Sequence, residues 1–484
     1  MSGIAWLDLV LAAVGVATGL ASVVLAGLGL QAAGLALVRR TVAARPAARA
    51  EGLWPRLVVQ IPVYDEPTPL VARALDAALA LRARGPVEVQ LLDDSPDPRA
   101  GATLCAARTT PDRPVRHLAR AARDGFKAGA LAAGLDATDA ELAAVFDVDF
   151  RPHADALVDL VPVLLADPRL AFVQARWTHP EAEATLLGRA QAALLDLHFT
   201  AEQGGHDRAG LPVTFNGTAG VWRRTAIEAS GGWQGDTLAE DLDLALRAQM
   251  AGWTARVLDA VTIDADLPPT LGAWRRQQAR WTKGLAEVGR KLLGPVWRSG
   301  LPLRARLSVT GQLAVAASLP ALLVLVVGHP VLAVAAACGV AVGSPAAWTG
   351  WVALASALVA HAVAQRTVAP DGALRRLLWV PLLLAAPLTL AVPAVRGVGQ
   401  ALRGHRTPFA RTPKDGAWRP DPDRAWDAVL AIYSAMGAVA LVALGAWGPA
   451  IVQAGFALAF AVAARPQPRP RPHTATLHPA SATP

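Results

Sequence analysis

Three hydropathy patterns follow one another along the chain. Positions 6–38 are almost uncharged after Asp8 and long enough to cross a bilayer once with tilt. Arg39, Arg40, Arg45, Arg49 and Arg56 come next. No basic region precedes the run, which is too long for the core of a cleaved signal peptide, so a retained anchor is expected. The positive-inside rule puts the arginine end in the cytoplasm and the N-terminus outside.

Positions 57–300 are polar, with short apolar runs. Those at 57–64, 87–92, 141–146 and 170–175 each end in turn or polar residues, and they read as buried parallel strands. Helical patterns at about 67–84, 98–108, 125–136, 153–166 and 182–203 lie between them. Strand–helix alternation predicts a doubly wound, Rossmann-like α/β sheet, whose ligands bind beyond the carboxyl ends of the strands.

Positions 301–464 are apolar again, with runs at about 308–343, 345–365, 377–398, 427–446 and 448–464. The loop 396–424 carries Arg396, Arg403, Arg406, Arg411, Lys414, Arg419 and Arg424, and 366–376 holds three arginines against one aspartate. Both belong inside, which requires that 377–398 not cross the membrane. Pro381, Pro387 and Pro393 interrupt that run, and each removes a backbone donor. The run therefore reads as interfacial or re-entrant, leaving five spans. The alternative splits 308–365 into three short spans, leaves 366–376 outside and gives seven. The Pro-rich tail 465–484 is expected to be disordered.

Composition sharpens this division into an anchor (1–40), a polar domain (41–300) and a second membrane region (301–464). A content of 53% hydrophobic and 17% charged residues excludes an ordinary soluble enzyme. The net charge of +8 follows from basic cytoplasmic loops. No basic stripe interleaved with aromatics points to nucleic acid. Cys105 and Cys338 fall in different regions, so no disulfide framework is expected.

The candidate chemistry gathers at strand ends. Asp147-Val148-Asp149 follows the third run, and two carboxylates there suit a divalent cation, Mg or Mn, on a diphosphate leaving group. Asp93-Asp94-Ser95 closes the second run and suits the base and ribose of a nucleotide, although Asp, Ser and Pro also favour plain turns. Glu240-Asp241 opens an amphipathic helix, where acids are favoured in any case; the functional reading is a general base for a hydroxyl nucleophile. Gln277, Arg280 and Trp281 share a polar helical stretch; Arg pairs with phosphate and Trp offers a sugar an apolar face. Lys127, in a stretch of small residues at a helix start, is within reach of a phosphate or base, without a Walker arrangement. His153, His179, His198 and His206 lack zinc spacing and read as ordinary polar or packing residues.

The ordered set Asp93-Asp94, Asp147-Val148-Asp149, Glu240-Asp241 and Gln277-Gln278-Ala279-Arg280-Trp281 resembles the membrane-embedded processive family-2 glycosyltransferases, the group that includes cellulose synthase. Val173 to Trp177, Asp196 to Gln203, Phe215 to Trp222 and Gly231-Gly232-Trp233 resemble the plant cellulose-synthase-like A and C proteins and their bacterial relatives. Phe409-Ala410-Arg411-Thr412-Pro413-Lys414 is similar to the gating loop of cellulose synthases and places a loop at 404–418. The likeness implies a cytoplasmic GT-A domain between transmembrane helices. It implies an inverting transferase that extends a β-linked mannan, glucomannan or glucan from a UDP- or GDP-hexose, in a bacterial cytoplasmic membrane. It gives Asp93, Asp94 and Lys127 to the nucleotide, Asp147 and Asp149 to metal and diphosphate, and the base to Asp241 beside Glu240. Gln277, Arg280 and Trp281 go to the diphosphate and acceptor end, Asn216, Gly217 and Thr218 to the acceptor, and Phe409, Arg411, Thr412 and Lys414 to the gate. Ala239 stands where the family has threonine before Glu-Asp, and Arg411 where cellulose synthases have valine, so cellulose itself is not the expected product. The rivals are a non-processive transferase acting on a lipid acceptor and a non-enzymatic scaffold.

Overall fold

The strands of the polar domain form where buried apolar residues alternate between two faces. Leu57, Val59 and Ile61 enter one core with Val89 and Leu91, while Val58 enters the other with Leu131, Val145 and Phe172. The computed structural model describes residues 2–45, 47–340, 345–407 and 421–465. The expected gating residues Phe409, Arg411, Thr412 and Lys414, and all but the first residue of the expected disordered tail, lie outside them.

Eight strands make one sheet: β1 (Leu57–Val63), β2 (Val87–Asp93), β3 (Val115–Ala119), β4 (Leu142–Val145), β5 (Phe150–Arg151), β6 (Leu170–Thr178), β7 (Gly220–Arg223) and β8 (Thr254–Ala265). Their order is β3-β2-β1-β4-β7-β6-β8-β5. All four strands expected from the sequence are present and point the same way. The sheet is nevertheless mixed, because β7 lies antiparallel between β4 and β6. β3, β5, β7 and β8 were not expected. β5 spans only two residues, and exposed or polar side chains interrupt the apolar run in β3 and β8.

The helices are α1 (Ser2–Thr41), α2 (Thr68–Leu79), α3 (Arg99–Ala106), α4 (Phe126–Asp136), α5 (Ala156–Ala166), α6 (Leu186–Asp196), α7 (Gly204–Ala209), α8 (Arg224–Ala229) and α9 (Glu240–Met250). There follow α10 (Leu271–Arg298), α11 (Leu303–Ala314), α12 (Ser318–Ala337), α13 (Pro345–Val368), α14 (Ala373–Leu377), α15 (Val380–Leu402), α16 (Arg424–Ala443) and α17 (Trp447–Ala463). The expected helix at 182–203 becomes α6 followed by a π-helical turn, Leu197–Gln203.

Among the described residues, five helical stretches are long and apolar enough to cross a membrane: Trp6–Thr41, Leu303–Ala337, Trp348–Val368, Val380–Leu402 and Arg424–Ala443; this set includes 380–402, expected not to cross, while Trp447–Ala463, expected as a span, is shorter. Leu9, Leu20, Val439 and Met436 stand exposed on them, as lipid-facing side chains do. The C-terminal end of α1 is tied to the polar domain: Arg39 pairs with Asp259, and Arg208 Nη1 donates to the carbonyls of Arg39 (2.6 Å) and Val42 (2.7 Å).

The prolines do not break 380–402, which corrects the expectation of an interrupted run: α15 is one continuous helix containing Pro387 and Pro393. Pro381 sits in the first turn, where a missing donor costs nothing. Both flanks of α15 nevertheless meet the polar domain. Just before it, Arg376 reaches Glu183 (3.1 Å) and Asp196 (3.4 Å). Just after it, Lys283 Nζ donates to the His405 carbonyl and to Thr407 Oγ1, both at 2.8 Å. A Cβ on Gly397 would lie 3.0 Å from the Ala279 carbonyl, so α15 packs backbone-close along α10. A helix of 23 residues is about 34 Å long at 1.5 Å per residue, enough to separate its ends across a bilayer if it stood upright. Ends that both touch one polar domain instead predict that it lies along the membrane surface. Single cysteines at 369–373 in intact cells are therefore expected to resist an impermeant external thiol reagent and to react after permeabilisation. Labelling from outside would support the seven-span arrangement.

Candidate active site

The site forms where β1, β2 and β4 end and three loops fold over them. Lys127, at the start of α4, is its centre. Its Nζ donates to Asp147 Oδ1 (2.6 Å) and to the Gly217 carbonyl (2.9 Å). The Asp147 amide donates to Thr218 Oγ1 (2.8 Å). Gly217 has φ +81°, and a Cβ there would lie 2.7 Å from Asp241 Oδ2 and 3.3 Å from Lys127 Nζ. Only glycine lets this backbone pass so close to the Asp241 carboxylate. Segments from 127, 147, 217 and 241 thus meet at one point.

The electrostatics follow from crowding acids with few cations. Glu240 is 7% exposed, and burial followed by the Asp241 charge pushes its carboxyl up to about 7. Burial also raises Asp241, against the pull of Lys127 and of the Leu242 amide, which donates to its Oδ1 at 2.8 Å. Asp241 is less buried than Glu240 and is the more accessible of the two carboxylates. Burial raises Asp147 as well; Lys127 opposes this and the charge of Asp149 adds to it. On Lys127, burial is outweighed by Asp147 and Glu240, so its ammonium is held charged. Burial lowers the Arg280 guanidinium, while the charges of Glu240, Asp147, Asp241 and Asp149 support it. Arg280 therefore faces the same pocket from α10.

The remaining expected residues are placed as follows. Gln277 and Trp281 lie half-buried on α10 with Arg280. Trp281 stands 6.4 Å from Trp177, which stands 4.9 Å from Phe199 and 5.0 Å from Phe150, making an aromatic wall. Asp93 is 3% exposed, takes a hydrogen bond from the Ser95 amide (3.0 Å) and lies 3.0 Å from His117 Nε2. Asp94 takes a two-pronged bond from Arg120, at 2.8 and 2.6 Å. The Arg123 guanidinium lies 3.2 Å from the centre of the Tyr64 ring. A nucleotide would therefore meet Asp94 already paired. Sequence reasoning did not select His117, Arg120, Arg123 or Tyr64. The signal available was their position at the ends of β1 and β3, but β3 was not recognised.

Among the described residues no group of three or more His, Cys, Asp or Glu side chains is gathered to hold a metal. Asp147 and Asp149 fit a cation that takes one or two carboxylates and completes its shell with substrate phosphate and water. The repulsion of Asp149 on Asp147 is the strain such an ion would relieve.

Two cationic anchors on α10 were also missed. Lys283 holds His405 and Thr407, and Arg275, 1% exposed, holds Asp421 (2.8 Å) and Asp427 (2.7 and 2.9 Å). They flank Gln277, Arg280 and Trp281 in sequence.

Residues 144–392 match the model of "Glycosyl transferase family group 2", and residues 58–227 match "Glycosyl transferase family 2". The chain is 38% identical over 253 residues to a rice "Probable glucomannan 4-beta-mannosyltransferase 7", covering 50% of this chain and 43% of that protein. It is 37% identical over 246 residues to the Arabidopsis thaliana "Glucomannan 4-beta-mannosyltransferase 9", covering 49% and 46%. The stretch in common is thus under half of each of these relatives. Among solved structures it resembles the mannosyltransferase PcManGT from Pyrobaculum calidifontis in complex with GDP-Man and Mn2+, with a TM-score of 0.52 and 20% identity over 81% of this chain and 99% of that one. That likeness is one of fold: a GT-A-like mixed sheet.

Gly217→Ala tests the convergence of the four segments. An L-residue in the left-handed region costs roughly 1–2 kcal/mol, and a misplacement of about 1 Å at a reacting group costs about 10²-fold. The variant is expected to keep its secondary structure by circular dichroism and lose turnover by about that factor. Normal turnover would mean that Asp241 is not the group Gly217 makes room for.

Proposed function

Because the chain belongs to glycosyl transferase family group 2, we propose that it is an inverting, processive hexosyltransferase of the β-1,4-mannan synthase kind. It draws on a nucleotide-activated hexose in the cytoplasm and extends a β-glycan that leaves through the membrane helices. The observation that carries the reading is the meeting of Asp241, Lys127, Asp147 and Gly217 at one point, with Arg280 facing it from α10. The names of the plant relatives support mannose as the sugar and a polymer over a lipid as the acceptor. The GDP-Man in PcManGT agrees with a GDP donor. The basic loops and the apolar helices support a bacterial cytoplasmic membrane with the catalytic domain inside.

In this reading the acceptor hydroxyl oxygen attacks C1 of the donor sugar while the bond from C1 to the diphosphate breaks with inversion. Asp241 takes the hydroxyl proton; a carboxylate raised by burial is a better proton acceptor than one in water. Lys127 and Arg280 offset charge on the departing diphosphate. Asp147 and Asp149 would hold a divalent cation, which supplies further neutralisation of the leaving group. Asp93, Asp94 and Lys127 serve the nucleotide. Gln277 serves the diphosphate, Trp281 stacks on the acceptor sugar, and Asn216, Gly217 and Thr218 line its site. Phe409, Arg411, Thr412 and Lys414 form a gating loop that favours a charged donor.

The test is to supply membranes carrying the protein with labelled GDP-mannose or UDP-glucose and digest the product with linkage-specific hydrolases. A mannanase-sensitive polymer made from GDP-mannose is expected; a single sugar on lipid would favour the rival. In the same assay Asp241→Asn is expected to lower transfer by about 10²–10⁴-fold while donor binding stays near normal, since the base acts on the acceptor hydroxyl. Loss of donor binding would move Asp241 to another role.

Metal dependence is checked separately. Excess chelator is expected to abolish transfer, restored by Mg or Mn, and Asp149→Ala is expected to be inactive with either ion. Full activity in chelator would remove the ion from the reaction.

A further inference from the structure

His198 was expected to be an ordinary histidine, yet its surroundings are specific. Its Nδ1 lies 3.0 Å from Glu202 Oε2, and its Nε2 lies 3.2 Å from Asn216 Oδ1. Both partners are acceptors, so the ring satisfies both only as an imidazolium that donates twice. Burial opposes that charge, but the hydrogen bond and charge of Glu202 outweigh it and raise the imidazole. The nearest other titrating ring, His206, is lowered by burial and donates instead to the Glu202 carbonyl (2.8 Å), so it does not compete for the carboxylate.

Asn216 is fixed on every other side. Its amide donates to Gln174 Oε1 (2.7 Å), and Thr214 Oγ1 donates to its Oδ1 (3.4 Å). Its side-chain NH2 is shielded from water and has no acceptor among the described residues. A buried donor without a partner is costly, and a ligand hydroxyl would satisfy this one. The next residue is Gly217, whose backbone abuts Asp241. The segment presenting His198 and Glu202 is the π-helical turn Leu197–Gln203, an irregularity frequent at functional sites. Phe199 in that turn joins the aromatic wall that leads to Trp281.

We propose that His198, held by Glu202, is a positioning residue that fixes the Asn216 carboxamide so that its NH2 donates to a hydroxyl of the acceptor sugar. This rests on the acceptor reading of Asn216 given above and names the donor group and the device that orients it. A neutral or absent ring would free the amide to rotate and offer its oxygen to the sugar instead.

The experiment uses the full-length protein in membranes, GDP-mannose as donor and β-1,4-mannotetraose as the acceptor probe, with KM measured for each substrate. His198→Phe keeps a flat ring and removes both donors. It is expected to raise the acceptor KM up to about tenfold, the upper end for one lost hydrogen bond between neutral groups, with the donor KM unchanged. His198→Gln, which can still donate to Asn216, is expected to recover most of the loss. In an Asn216→Ala background His198→Phe is expected to add nothing further. The inference is overturned if His198→Phe leaves the acceptor KM unchanged, if both KM values move together without rescue by Gln, or if the two substitutions are additive. A wild-type protein that transfers no hexose to the probe from any nucleotide donor would instead overturn the functional reading.

Discussion

The Lys127 ammonium is the contact on which the arrangement depends. It reaches Asp147 at 2.6 Å and the Gly217 carbonyl at 2.9 Å, and its charge opposes the rise that burial imposes on Asp241. Asp147, Glu240 and Asp241 share a region where burial penalises each charge. The cations Lys127 and Arg280 offset that crowding of acids. The same cation closes the loop 216–218 onto the end of β4. One interaction thus sets both the charge state of the pocket and the path of the backbone around it.

Helix α10 transmits that order to the membrane half. It carries Arg280 toward the carboxylates, while Arg275 and Lys283 on the same helix hold chain on either side of the loop that follows α15. Arg275 and Asp427 are each 1% exposed, and a buried ion pair of this kind adds little net stability. Breaking it leaves an uncompensated charge, however, so it fixes register strongly. The close passage of Gly397 over Ala279 packs α15 and α10 backbone against backbone. A helix apolar enough to span the bilayer is held against the polar domain by contacts at both its ends.

The proposed acceptor side is organised differently. There the order comes from the aromatic wall of Phe150, Trp177, Phe199 and Trp281 and from the chain Glu202–His198–Asn216. A neutral sugar needs flat apolar faces and directed donors more than charge. In the proposed function, a charged half suits a diphosphate and an aromatic, amide-lined half suits a hexose.

The sequence by itself determined the division into anchor, α/β domain and membrane helices, because hydropathy period and length are local properties. The strands at 57–64, 87–92, 141–146 and 170–175 were legible as apolar runs. Asp147, Asp149, Asp241 and Arg280 were legible because carboxylates at strand and helix starts, and Q-x-x-R-W, are patterns of neighbours. Only the tertiary structure decided that β7 runs antiparallel within the sheet, since its residues pair with residues 46 to 81 positions earlier in the chain. It alone revealed that Arg120 occupies Asp94, that α15 passes unbroken through two prolines while both its flanks bind the polar domain, and that His198 faces Glu202 and Asn216. Each of these depends on which distant side chain fills the space beside a group. No local pattern encodes that, because partners separated by long stretches of chain meet only when the fold closes.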